Sequence, residues 1–97
     1  MISVPVTLTG TALSVASLIV DELPDDVATL VGNRDDFRMD SIIQAPITNG
    51  DDVNIGSETD QSGFIISGGS ASLDRLNLNK TYINGTVGDV AIILLMD

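Results

Sequence analysis

The chain has no cysteine, no histidine and no tryptophan, and its 97 residues hold only one Tyr and two Phe. Without Cys there is neither a disulfide nor a thiolate metal site, and the redox compartment leaves no mark. Without His the usual general base and the commonest zinc ligand are missing. The three rings, Phe37, Phe64 and Tyr82, are too few for a sugar-stacking cleft, which disfavours both a glycosidase and a carbohydrate-binding module. They are expected in the core, with the Tyr82 hydroxyl at a sheet margin.

Positive charge is nearly absent too. Arg34, Arg38, Arg75 and Lys80 face fourteen acids, for a net charge of −10, which argues against binding a phosphate backbone. No nucleic-acid partner is expected. Eleven of the acids fall between Asp21 and Asp60, largely as the pairs Asp21-Glu22, Asp25-Asp26, Asp35-Asp36 and Asp51-Asp52. They sit between apolar runs and read as a solvated, self-repelling surface, compatible with a salty habitat. A long hydrophobic run is also lacking. Residues 1–20 are uncharged, but Ser, Thr and Gly interrupt them throughout and no basic n-region precedes them, so neither a signal peptide nor a spanning helix is predicted. The expectation is a soluble protein away from membranes.

What is present is strand grammar. Short alternating apolar runs end at Asn, Gly, Asp and Ser clusters, with no space for helices between them. Strands are expected at 4–9, 38–47, 52–55, 63–66, 70–76, 81–83 and 87–95. Pro5 confines its strand to an edge or a start. Residues 12–20 are ambiguous, since Leu13 and Val15 alternate while Ala12, Ala16, Ile19 and Val20 would line a helix face. Their β-branched content favours a strand. Asn84-Gly85 and then Asn49-Gly50 are the strongest hairpin turns, because a type I′ turn needs positive φ at both central positions. Residues 24–30 could form a helical turn or two with acids at its positive end. The whole predicts one all-β domain over 1–97, a small antiparallel β-sandwich, jelly-roll-like, of about seven to eight strands.

Few motifs carry chemistry. Asp51, Asp52, Asn54, Glu58 and Asp60 crowd oxygen ligands, but Gly56 follows Ile55 and no closing Glu appears, so the calcium-loop pattern fails. Gly68-Gly69-Ser70 lacks the Lys and helix of a phosphate loop and reads as a turn. Asn79-Lys80-Thr81 and Asn84-Gly85-Thr86 match the glycan acceptor pattern by composition of their turns. No catalytic, cofactor or metal residue is predicted.

The order of segments resembles a family of small virion proteins of tailed bacterial and archaeal viruses. The resemblance begins at residues 7–13, strengthens through 38–44 and Asp52-Val53-Asn54-Ile55-Gly56-Ser57, continues across 61–70, and closes through Leu76 to Lys80, Tyr82-Ile83-Asn84-Gly85-Thr86 and Gly88-Asp89-Val90. Asn54 stands where that group often has an aromatic, and Ser67 where Pro is common. The resemblance implies a non-catalytic structural β-sandwich on the virion, in a decoration or cement role or in a neck, tail or fibre position. A decoration protein would sit on the outer capsid surface, bind the major capsid protein and form homotrimers. Because interface cores are depleted in charge, the uncharged 1–20 segment is the expected contact surface. Its residues are Val4, Val6, Leu8, Leu13 and Val15, joined by Ile92 from the C-terminal apolar run.

Overall fold

A computed structural model of the chain describes residues 2–23, 25, 28, 29 and 38–96. Among the described residues eight strands form in order: β1 (Ile2–Thr7), β2 (Leu13–Ser14), β3 (Arg38–Gln44), β4 (Val53–Gly56), β5 (Gly63–Ile65), β6 (Ser70–Asn77), β7 (Tyr82–Asn84) and β8 (Val90–Met96). They make two four-stranded sheets with orders β1-β8-β3-β6 and β2-β7-β4-β5. Every pairing is antiparallel. First pairs with last, second with seventh, third with sixth and fourth with fifth, so the chain is one long antiparallel ribbon rolled onto itself. That is the jelly-roll arrangement.

Alternation fixes which side chains turn inward. In the first sheet Val4, Ile93 and Ile43 share one register row and all are buried. Val53 and Ile65 form the matching row of the second sheet, and Ile83 lies in the next inward row opposite Ile55. These residues, with Val6, Ala91 and Leu95, make one continuous core between the sheets. Each fully buried aliphatic of this kind contributes about 1.5–3 kcal/mol relative to exposure.

The expectation of a strand over 12–20 is corrected. After the two residues of β2, Val15–Ile19 is a helix, α1, followed by a 3₁₀ turn at Val20–Glu22. Local capping decides this against β-branched propensity. Ser14 holds an extended conformation and its hydroxyl accepts from Ser17 N at 3.2 Å, while Ser17 Oγ donates back to Ser14 O at 2.8 Å. The first amides of the helix are satisfied outside it, Val15 N by Thr81 O and Ala16 N by Leu78 O. Val15, Ala16 and Ile19 then face inward and close one end of the core. Further on, Asp25, Ala28 and Thr29 are helical; the other positions of the expected 24–30 helix lie outside the described residues, as does Phe37.

Two further expectations change. Neither Asn-Gly pair forms a type I′ hairpin, since Asn49, Gly50, Asn84 and Gly85 all have negative φ. Asn84 ends β7 in the second sheet and the chain then crosses to β8 in the first, a span a two-residue turn could not cover. Phe64, expected in the core, is 64% exposed. It pairs with Asn54 on the outer face while its neighbour Ile65 takes the inward position.

Candidate contact surfaces

Of the six residues expected at a contact surface, Val4, Val6, Leu8 and Val15 are buried in the chain's own core. Leu13 pairs with the buried Ile83 and points inward with it. Ile92 alone projects outward, since its strand neighbours Ala91 and Ile93 are the buried ones.

Ile92 belongs to the outer face of the first sheet. One register row across it reads Ser3, Leu94, Ile42, Ser72, and the next reads Pro5, Ile92, Gln44, Ser70. Thr7 and Val90 extend these rows at one end. None of these residues is charged. At the opposite end stand Asp40, Asp74 and Met96, around a hollow of about 250 Å³ that Ile42 and Ser72 also line. Asp40 is engaged there: its carboxylate accepts from Arg75 N at 2.8 Å, and Arg38 Nη1 donates to Arg75 O at 3.1 Å. The two contacts hold Arg75 at φ 51°, the left-handed region that a non-glycine residue enters only at some cost, next to an irregularity in the β3–β6 register.

A second surface lies at the end of the sandwich where the connections β1–β2, β3–β4, β5–β6 and β7–β8 meet. Asn49 organises it. Its buried amide donates to Val90 O at 2.7 Å and accepts from Val90 N at 2.9 Å, so one side chain takes the place of a neighbouring strand. The Asp89 carboxylate accepts from Gly50 N and Asp51 N, both at 3.1 Å. Ser67 Oγ donates to Asn49 O at 2.9 Å, and Thr86 Oγ1 to Asp51 Oδ2 at 2.6 Å. Gly68, at φ +83°, completes the turn in which Gly69 N donates to Ile66 O, a position that a side chain would strain. From this cross-linked end Ile47, Ile66 and Val87 project, 83%, 59% and 72% exposed.

Replacing Asn49 with Asp is expected to cost about 2–3 kcal/mol, because an oxygen would then oppose Val90 O and leave that carbonyl without its donor. Urea unfolding of the variant beside the parent measures it. The sequence signal for this role was absent, since Asn49-Gly50 has the form of a turn.

Beside this end is an open cleft of about 420 Å³ lined by Asp51, Asp52, Asn54, Asn84 and Thr86, with Gly10 and Gly85. It offers carboxylates, amides and the Thr86 hydroxyl, which donates to Asp51 Oδ2. Glu58 and Asp60 do not join Asp51 and Asp52, because β4 separates the two pairs by four residues, roughly 13 Å of extended chain. Among the described residues no group of three or more His, Cys, Asp or Glu stands together. No described helix is long and apolar enough to cross a membrane. Asn84 and Asn79, the two acceptor-pattern asparagines, are both half-buried, and Asn84 Oδ1 accepts from Gly85 N at 2.8 Å.

Comparison of the chain with protein-family models, with curated proteins and with solved structures finds no match.

Proposed function

We propose that this protein is a non-enzymatic structural component of a virion, decorating the outer capsid surface and bridging neighbouring major capsid subunits. The observation that carries the reading is the cross-linked loop end. Three connections are tied by side-chain hydrogen bonds and the β1–β2 connection joins them through backbone bonds between Leu8 and residues 88 and 89, and three branched aliphatics project from this end on a chain of net charge −10. Exposed apolar groups held on a pre-organised frame bind by shape, with little ordering entropy to overcome. Jelly rolls serve capsids, lectins and cupins alike, so the fold does not choose among them. The resemblance of the strand segments to small virion proteins supports the capsid reading. On the particle the copies are expected as trimers about threefold positions.

Two alternatives remain distinct in their predictions. A neck, tail or fibre protein of the same virion would be present in few copies at one vertex or along the tail. A ligand-binding or adhesion module is favoured by the polar cleft at Asp51, Asp52, Asn54 and Asn84, and would be missing from particles. Reconstruction of purified particles, with copy number from quantitative mass spectrometry, decides among the three. Ile47→Asp and Ile66→Asp change exposed side chains and should leave folding within about 0.5 kcal/mol of the parent. Each is expected to weaken particle binding at least tenfold in a co-sedimentation assay, and unchanged binding by both would exclude this end as the contact.

The acidic surface carries its own expectation. With fourteen acids against four bases, added salt screens self-repulsion more than it weakens attraction. The melting temperature should therefore rise by several degrees from low to molar salt. A flat or falling series would contradict a surface dominated by repulsion.

A further inference from the structure

We infer that the outer face of the first sheet docks a second copy of this chain, face to face about a twofold axis. The contact uses a different surface from the loop end and stands whether or not the capsid reading holds. Charge identifies the occupant. Two chains of net charge −10 repel each other wherever their acids approach, and a second copy comes closest through rows that carry none among the described residues. The rows Ser3, Leu94, Ile42, Ser72 and Pro5, Ile92, Gln44, Ser70 supply such a face across all four strands. Leu94, Ile42 and Ile92 make its centre largely apolar beside Gln44, and Ser3, Ser70 and Ser72 edge it with hydroxyls, the pattern of an interface core with a polar rim. A basic partner would find no carboxylate over most of it.

Area sets the strength. Four strands at about 4.8 Å and about six residues at 3.3 Å each give roughly 400 Å² of projected face. With side-chain relief this falls at the small end of specific contacts, so the pair is reversible and concentration-dependent.

The charges at one edge set the orientation. If the strands of the two copies ran the same way, Asp40 and Asp74 of both would meet and four carboxylates would share one edge. A twofold axis lying in the interface, across the strands at the Ser3–Ser72 row, avoids this. It sets Leu94 on Leu94, Ile42 on Ile42 and Ser72 on Ser72, and it places the uncharged Ser70 and Gln44 near the partner's Asp74 and Asp40, apart from the rotation of about 30° that sheet twist imposes.

Sedimentation equilibrium of the full chain in molar salt, over micromolar to millimolar concentration, tests the proposal. The expected mass rises from 10.1 kDa toward twice that value. Ser72→Glu, at an exposed position on the twofold row, should weaken the pair at least tenfold. Ser70→Lys should tighten it severalfold by facing Asp74, and Thr59→Glu on the remote β4–β5 connection should change nothing; circular dichroism and melting verify that each variant folds. Any of four results would overturn the proposal: a monomer at every concentration, a trimer sensitive to Ser72→Glu, a dimer indifferent to Ser72→Glu, or a pair loosened by Ser70→Lys, which would mean parallel strands.

Discussion

Ile93→Asp is expected to unfold the domain, while Ile92→Asp, one residue away, leaves it folded. Ile93 is completely buried at the centre of the core, paired on one side with Val4 and on the other with Ile43. A carboxylate there has no cation and no donor within reach, and burying it uncompensated costs more than about 4 kcal/mol. A domain of this size has about 5–15 kcal/mol in total. Ile92 projects from the opposite face, half-buried beside Pro5 and Gln44. Its replacement loses part of one side chain's burial, about 1 kcal/mol, and places a carboxylate in a row of that face that carries none. The variant should therefore fold but no longer pair with a second copy. Far-ultraviolet circular dichroism with thermal melts separates the two outcomes. Parent-like melting of both variants would mean that β8 is not a core strand and that the two-sheet packing is wrong.

The strand inventory was legible because alternation and turn residues are local. Residues 38–44 and 90–96 alternate strictly in burial, 53–56 ends at Gly and 63–65 begins at one, and each is a strand. The pairing of β1 with β8 was not legible, since no local pattern states which distant run lies beside another. The 12–20 segment failed for a related reason. Propensity weighs Val15, Ile19 and Val20 singly, whereas the outcome depends on the Ser14 cap and on carbonyls supplied by residues 78 and 81. Which apolar residues reach the surface was half legible. Lack of charge in residues 1–20 correctly marks an unusual segment, but β1 spends Val4 and Val6 inward and shows only Ser3, Pro5 and Thr7 outward. Charge scarcity alone cannot tell a core strand from an interface strand. Ile92 was separable because an unbroken apolar run, laid on a period of two, must present half its members to the second face.

Gly56→Ala is the second large effect, and its cause is a close approach of backbone, not backbone conformation. Gly56 has negative φ, so alanine is sterically allowed there in isolation. The β4–β5 connection folds back over it, however. Ser57 N donates to Asp60 O at 2.8 Å, Asp60 N to Ser57 O at 3.3 Å, and the Gln61 side chain donates to the carbonyls of Ser57 and Glu58. A methyl group on residue 56 would overlap the Asp60 carbonyl oxygen and stand 2.8 Å from Gln61 Cα. Both obstacles are backbone, so relief means breaking this turn and shifting the start of β5. The expected loss is about 3 kcal/mol, the upper range for overpacking. Gly50→Ala is the control: negative φ, no atom within 4 Å of the added carbon, and a change near zero or slightly stabilising through the unfolded chain. Urea midpoints for the two variants should differ accordingly. Equal midpoints would show that the connection yields freely to a methyl group and that the fold-back over Gly56 does not constrain the strand.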